Sequence, residues 1–448
     1  MERQGVYSDP EIIAAMDWLS DASGNATEFR ARITRAQDLY REYVMKEEHL
    51  GKDPRLEALG PDRVASYLAQ ADALVRDRCA YDLALGPRIV PFVKHIGSAV
   101  ESLRQVNGSS KRAMRMLRQS SVDPESAIFE FAVASAYLRA GFTLEFIEEA
   151  PPEKRPDFRI LSAGGPIDIE CKRLNQSTYA RKESKHQGRI CAKLGDLVHE
   201  RHLSIYIDVL YTQELSEIPE DYLLNHVATS LSSRIVTRNG YPWKDSLGEG
   251  TVRPAHLAAV HRDTAQSSLY FGTKLARLLS GIEATQDAYN LIGSGEPDSR
   301  DPRYLDRLYY CSVINWGCSA AQSIDARARF VRSKLAEVDL QMHKSAEGIV
   351  HVSMDAQRDV RTSDIRRARN IEVVRDFQAR NPLREIYLHY FVPLTTEVTA
   401  WSIDETTDCF GIAPGRKGLD RIFDQADFAD NNLAAWYRPR PTCATRDS

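Results

Sequence analysis

Two short runs, residues 157–160 and 167–172, alternate apolar and polar side chains and are joined by a segment with a Gly-Gly pair. Strict alternation is typical of β-strands, because successive side chains point to opposite faces. A short turn-prone segment between two such runs predicts a β-hairpin. One face of the second strand then carries Asp168, Glu170 and Lys172, while its other face is apolar.

A helix is predicted just before this hairpin. Asp123 is a good N-cap, Pro124 suits the first helical position, and Gly141 is a good stop. Residues 126–140 are apolar on nearly every side, so we expect the helix to be buried. Glu130 lies in its middle, where a carboxylate is costly to bury unless it meets a cation, hydrogen-bond donors or a proton.

The charged residues of the hairpin suit metal-dependent phosphate chemistry. Asp157 and Glu170 lie on adjacent strands, from which both carboxylates can reach one hard divalent cation such as Mg²⁺ or Mn²⁺. Lys172 shares the face of Glu170, where its charge can activate a water or stabilise a reacting phosphate. The side chain of Cys171 faces the core, so its backbone carbonyl is the group that it can offer a metal ion. The alternative for so short a pattern is a solvated ion pair on an exposed strand.

Pro156-Asp157, twelve intervening residues and Glu170-Cys171-Lys172 together resemble the motif of the PD-(D/E)xK nuclease superfamily, which includes type II restriction enzymes and Mrr-like and RecB-like nucleases. The resemblance covers residues 123 to about 211. It implies an α/β fold with a restriction-endonuclease-like αβββαβ core, and a magnesium- or manganese-dependent nuclease activity.

The resemblance also implies an active site. Asp157 and Glu170 are its expected metal ligands, and Lys172 is expected to activate water or stabilise the transition state. Many members carry a further glutamate on the helix before the hairpin. Glu130 matches that position, and Glu125 is the weaker candidate.

Two later segments are candidates for the helix and the fourth strand of such a core. The near one is residues 180–211 and the far one is residues 326–354, each a helical pattern followed by a strand-like run. Order along the chain favours the near one. The far one would extend or complete the sheet if residues 213–320 are an insertion.

Length and composition predict several domains. The 448 residues, of which 43% are hydrophobic and 27% charged, are enough for about two or three. We expect a helical N-terminal domain (1–122), a nuclease core (123–212), an insertion or accessory α/β region (213–320) and a mixed α/β C-terminal region (321–448) that extends the core sheet in one interpretation.

Cysteine usage and hydropathy indicate a cytoplasmic protein. The seven cysteines are odd in number and include no C-x-x-C pair, which argues against a disulfide framework and a structural zinc site. We see neither an apolar run long enough for a membrane span nor a signal peptide, so no membrane partner is expected.

The net charge of −4 gives the chain no bulk attraction for nucleic acid, so any contact must be local. Lys111, Arg115 and Arg118 share one face of a predicted helix, and residues 358–369 are rich in arginine. A third group follows the nuclease motif directly and is the best candidate for the scissile backbone: Arg173, Arg181, Lys182 and Lys185. The alternative for each group is a solvated surface.

These patterns favour a Mg²⁺-dependent DNA endonuclease that hydrolyses phosphodiester bonds. An RNA nuclease is an alternative, because a site that hydrolyses phosphodiester bonds does not by itself distinguish deoxyribose from ribose. A second alternative is a catalytically inactive nucleic-acid-binding or assembly module with the same fold. The resemblance to the PD-(D/E)xK superfamily implies that a nuclease without a motor is a bacterial restriction or phage-defence effector. We find no ATPase motif, so a motor or trigger would come from a partner protein, and a homo-oligomer is a further alternative.

Overall fold

Helices and strands are interspersed throughout the computed structural model of this protein. It describes residues 9–44, 60–77, 80–82, 84–118, 124–148, 155–175, 177–232, 240–264, 273–282, 289–297, 305–342, 347–356, 360–394, 401–411, 419 and 421–423. In chain order the helices are α1 (Pro10–Ala22), α2 (Ala26–Val44), α3 (Arg63–Arg76), α4 (Gly86–Ser98), α5 (Val100–Gln105), α6 (Ser109–Arg118), α7 (Pro124–Arg139), α8 (Thr178–Arg201), α9 (Tyr222–Ser232), α10 (Leu257–Thr264), α11 (Thr273–Ser280), α12 (Ala321–Asp339) and α13 (Val360–Arg375).

The strands form two mixed sheets. They are β1 (Thr143–Phe146), β2 (Phe158–Leu161), β3 (Ile167–Leu174), β4 (Ile205–Tyr211), β5 (Tyr241–Lys244), β6 (Gly248–Pro254), β7 (Tyr289–Pro297), β8 (Leu305–Cys318), β9 (Glu347–Asp355), β10 (Leu383–Leu394) and β11 (Ser402–Phe410). The fold is therefore α/β, as expected. Within the described ranges, none of the helices has the length and apolar composition needed to cross a membrane.

The chain divides into two compact units. The first is formed by the described residues of 1–174, 332–355 and 374–433, and the second by those of 175–331 and 356–373. The helices expected as a separate N-terminal domain thus share a unit with the predicted hairpin. The segment 123–212 is divided between the two units after Leu174.

The sheet of the first unit has the order β1-β2-β3-β9-β10-β11. Strands β1, β2 and β3 are antiparallel neighbours, β9 and β10 run parallel to β3, and β11 returns antiparallel. The predicted hairpin is confirmed, with Phe158 opposite Ile169. The predicted helix is confirmed as α7, whereas its proposed N-cap, Asp123, lies outside the described residues.

The strand beside β3 is not the one expected from the order of the chain. Residues 180–211 form α8 and β4, and β4 lies between β6 and β8 in the second sheet. Of the two segments left open by the sequence, the near one, which order along the chain favours, does not join this sheet, and β9 of the far one pairs with β3. The physical reason is on β9, where fully buried His351 has hydrogen-bonding partners on α7 and β10. Alternation of apolar residues does not reveal such partners.

Helix α6 is anchored beside β1. The backbone N–H of Phe146 donates to the carbonyl of Asn107 at 2.9 Å. Gly108, the next residue, has φ +84°, and a Cβ there would lie 2.8 Å from the carbonyl oxygen of Phe146. Such close backbone approach in the left-handed region favours glycine. The first turn of α6, and with it Arg112, is therefore fixed relative to the start of the sheet.

The second unit is built on the sheet order β5-β6-β4-β8-β7, in which β4 and β8 are parallel. Its longest helix, α8, begins where the side chain of Ser177 accepts a hydrogen bond from the backbone N–H of Ala180 at 3.1 Å, and it ends at His202 in the left-handed conformation. The inner face of α8 packs into a core shared with β4 and β8.

Candidate active site

The four residues predicted as an active site meet a fifth, Arg112, in the first unit. Glu130 comes from α7, Asp157 immediately precedes β2, and Glu170 and Lys172 lie on β3. Arg112 comes from α6 and bridges two of the carboxylates. Four separate segments of the chain therefore contribute to one charged cluster.

Asp157 is held through both of its carboxylate oxygens. Its Oδ1 accepts a hydrogen bond from Arg112 Nη2 at 2.6 Å, and its Oδ2 accepts one from the backbone N–H of Cys171 at 2.8 Å. Its own backbone N–H donates to the carbonyl of Ile169 at 3.0 Å. The carboxylate is thus fixed against β3 by contacts with both backbone and side chain.

Glu130 is 9% exposed, so the buried position expected from the sequence is confirmed. Arg112 donates to its Oε2 from Nε at 2.8 Å and from Nη2 at 2.5 Å. Burial and the negative charge of Asp157 raise the pKa of Glu130 to about 8, although Arg112 acts in the opposite direction. Ionisation of this carboxylate at neutral pH is therefore unfavourable in free energy.

Glu170 is almost completely buried, at 1% exposure. Lys172 Nζ donates to its Oε1 at 2.5 Å, while its Oε2 has no hydrogen-bond partner among the described residues. Burial and the charge of Asp157 raise the pKa of Glu170 well above its usual range, and Lys172 offsets only part of this. An unpartnered buried carboxylate oxygen is rare in native proteins and points to a missing partner.

Lys172 remains partly exposed and carries a positive charge. Burial lowers the pKa of its amine, but Glu170 and Asp157 raise it more, so that the net pKa lies above its usual value. With Arg112, two cations face three carboxylates. The cluster is one positive charge short of neutrality when all three carboxylates are ionised.

The donor chemistry of this cluster fits a hard divalent cation. Mg²⁺ and Mn²⁺ prefer carboxylate oxygens, and here the negative charge of Asp157 raises the pKa of the largely buried Glu130 and Glu170. As they stand in the described part of the chain, no three His, Cys, Asp or Glu side chains are grouped as ready metal ligands. In the cluster, Arg112 contacts one carboxylate oxygen of Glu130, and Lys172 contacts one carboxylate oxygen of Glu170.

Cys171 has a buried side chain, as predicted, and burial raises the pKa of its thiol well above the usual value. Its backbone N–H supports Asp157. The role expected for its carbonyl as a metal ligand stays a prediction.

The assignment of Arg173 to nucleic-acid binding is corrected by its burial. Its side chain is 3% exposed, ion-paired with Asp355 and with Glu125 at 3.3 Å, and its guanidinium lies over the ring of Phe92. The reason is strand alternation, because Arg173 directly follows Lys172 and so points to the opposite face. Glu125, the weaker candidate for the helix glutamate, is engaged in this ion pair.

The other predicted basic residues occupy surface positions. Lys111 and Arg118 on α6 are exposed and Arg115 is half-buried. On α8, in the second unit, Arg181, Lys182 and Lys185 are exposed. In the arginine-rich segment, residues 358–359 lie outside the described residues, and two arginines of α13 form ion pairs: Arg361 with Asp208, and Arg369 with Asp325.

Arg112 is the residue of the cluster that sequence reasoning missed. The pattern of α6 draws attention to the basic side chains on its outer face. Arg112 instead lies with Ala113, Met116 and Leu117 on the buried face. A basic residue on the apolar face of a helix, close in sequence to a predicted buried glutamate, was the available signal.

Comparisons with protein-family models, with curated proteins and with solved structures find no match to this chain. The chemistry of the site therefore rests on its own residues.

Proposed function

We propose that this protein is a metal-dependent nuclease that hydrolyses phosphodiester bonds, with Glu130, Asp157 and Glu170 as ligands of Mg²⁺ or Mn²⁺. The observation that carries the proposal is the buried Oε2 of Glu170, which lacks a hydrogen-bond partner among the described residues and is electrostatically coupled to Asp157 and Glu130. A cation at this position would satisfy that oxygen and relieve the repulsion among the three carboxylates. The resemblance to the PD-(D/E)xK superfamily supports the same assignment.

The protein's own residues have distinct tasks in this proposal. When bound, the divalent ion supplies a lowered pKa for a water molecule and positive charge for a phosphate. Asp157, fixed by Arg112 and by the N–H of Cys171, orients the ligand set. Lys172 is an ammonium paired with Glu170, and its partial exposure leaves it able to contact a phosphate oxygen. We therefore favour charge stabilisation by Lys172 over proton abstraction.

The proposed substrate is nucleic acid, with DNA as the first choice and RNA as the alternative. Arg181, Lys182 and Lys185 are exposed in the first two turns of α8, where one helical face can follow a line of phosphates. This surface belongs to the second unit, and the carboxylate cluster belongs to the first. The restriction or phage-defence role, like the cytoplasmic location, is part of the proposal.

One assay tests the function directly. The purified full chain is incubated with plasmid DNA, linear DNA and RNA, with Mg²⁺, Mn²⁺ or a chelator. We expect cleavage that needs the divalent ion and that is abolished by Asp157→Ala and by Glu170→Ala. Glu148→Ala removes an 81% exposed carboxylate of the same unit and is the matched control, which should retain activity. Cleavage that survives Asp157→Ala would remove the assignment.

The ion pairs of Arg112 and Lys172 favour one alternative function. Two cations that already hold the carboxylates are compatible with a catalytically inactive nucleic-acid-binding or assembly module, in which the cluster only stabilises the fold. In that case nucleic acid would bind without being cleaved, and divalent ions would change neither binding nor thermal stability.

A further inference from the structure

We infer that Arg112 is a positioning residue that holds Glu130 and Asp157 as metal ligands before the divalent ion binds, an inference that rests on the proposed nuclease function. Its guanidinium lies within 2.6 Å of both carboxylates and its side chain is 8% exposed. A planar guanidinium presents several N–H donors in a fixed arrangement, so it can bridge two carboxylates with defined geometry.

The oxygens that Arg112 uses indicate that it supports the metal site. Its Nε and Nη2 both donate to Oε2 of Glu130, which leaves Oε1 as the oxygen available to a metal ion in the described part of the chain. Glu170 repeats this pattern, because Lys172 Nζ donates to its Oε1 and the buried Oε2 has no hydrogen-bond partner within the described ranges. Each glutamate is thus held by a cation through one oxygen, and its other oxygen is left for coordination.

The helix that carries Arg112 is itself fixed at both ends. At its start, the Asn107–Phe146 hydrogen bond and the close approach at Gly108 tie the chain to β1. At its end, Arg32 Nη1 donates to the carbonyl of Leu117 at 2.6 Å. A rigid support is what a ligand-orienting residue requires, since outer contacts of this kind set the direction of metal ligands.

The positive charge of Arg112 also sets the net charge of the carboxylate cluster. When all three carboxylates are ionised, the cluster with Arg112 and Lys172 carries a net charge of −1. One divalent ion then brings the site to +1, which suits a phosphodiester anion.

The opposite role for Arg112 is competition, in which the guanidinium must leave before a metal ion can bind. The two roles predict opposite changes in metal affinity.

The test is the dissociation constant of Mn²⁺, measured on the full chain without nucleic acid by titration calorimetry and by electron paramagnetic resonance. We expect Arg112→Met to weaken Mn²⁺ binding by about 10- to 100-fold, the range found when outer supports of metal ligands are removed. Arg159→Met is the matched control. It removes a guanidinium that pairs with Asp168 at 2.6 Å in the same hairpin, and it should leave the constant unchanged.

Arg112→Lys covers the case in which the methionine variant does not fold. Lysine keeps the charge but not the planar fork, so we expect weaker Mn²⁺ binding than in the wild type. Equal or tighter binding in a folded Arg112 variant would overturn the positioning role while leaving the nuclease proposal intact. A wild-type protein that binds no Mn²⁺ would overturn both proposals. Weaker binding in Arg112→Met with an unchanged Arg159→Met supports the inference.

Discussion

Tyr137 Oη of α7 lies 2.9 Å from Nε2 of His351 on β9, and both side chains are buried. The other ring nitrogen of His351 lies 2.9 Å from Nε2 of His389, whose Nδ1 is 3.0 Å from Glu405 Oε1. This buried polar chain joins α7 to three neighbouring strands of the first sheet. Because α7 also carries Glu130, these buried polar contacts help to fix the helix that supplies one of the candidate ligands.

We expect these buried polar side chains to make the fold sensitive to acid. Burial and the neighbouring His389 hold the pKa of His351 well below its ordinary value of 6.5, so the folded protein keeps the ring neutral. The unfolded chain binds a proton as the pH falls below 6.5, and the stability present above that pH is progressively lost. Denaturant unfolding between about pH 5 and pH 8 should show this slope.

His351→Gln removes the titration and keeps a side chain that can form hydrogen bonds. Its unfolding free energy should be lower than that of the wild type at neutral pH but flatter below it. Parallel pH profiles for the two proteins would mean that His351 does not contribute to the slope.

Lys172→Ala should separate chemistry from metal binding. The ammonium is expected to stabilise charge that develops on the phosphate, so its loss should lower the cleavage rate by about 10²–10³-fold. The Mn²⁺ dissociation constant should change little, because the lysine is not a ligand. Lys244→Ala, a change at an exposed lysine of β5, is the control with unaltered rate. A variant whose sole defect is weaker metal binding contradicts the role given to Lys172.

Glu130→Gln should affect stability and catalysis differently. The pKa of Glu130 is raised from 4.5 to about 8, so its contribution to stability is greatest below 4.5 and is lost as the pH rises through about 8. The neutral amide should remove this alkaline loss. Catalysis should fall only partially, because the glutamate tunes metal affinity without carrying the whole reaction. Thermal unfolding from about pH 6 to pH 9, with and without Mg²⁺, measures the first effect. An equal alkaline loss in both proteins would contradict the assigned pKa.

Local signals in the sequence predicted the hairpin, the buried helix and the position of Glu130. Each depends on neighbours within a few residues: the alternation in 167–172, the stop at Gly141, and the apolar surroundings of the glutamate. The choice of β9 over β4 depended instead on contacts between distant residues, such as Tyr137 with His351. Arg112 was missed for the same reason, since an arginine reveals its partners only when the sheet brings them close.

Arg173→Met should destabilise the fold without changing nucleic-acid binding. The guanidinium is buried between Asp355 and Glu125, and removing one member of a buried ion pair leaves uncompensated charge at a cost of about 3–5 kcal/mol. Denaturant unfolding should detect this loss. Arg104→Met, a change at a 42% exposed arginine of α5, should cost little. A nucleic-acid affinity that falls in the folded Arg173 variant alone would restore the role predicted from the sequence.

Nucleic-acid binding should depend on a few local phosphate contacts, because the net charge of the chain is −4. We expect the logarithm of the affinity for duplex DNA to fall steeply with the logarithm of salt concentration. Replacing Arg181, Lys182 and Lys185 together by alanine should make this slope shallower by up to ~3 units, since each lost phosphate contact contributes about 0.9. These exposed side chains on α8 can be removed without opening a core. Fluorescence anisotropy over a range of salt concentrations measures the slope. If it is unchanged in the triple variant, the contact surface lies elsewhere, and the face of α6 with Lys111, Arg115 and Arg118 is tested next.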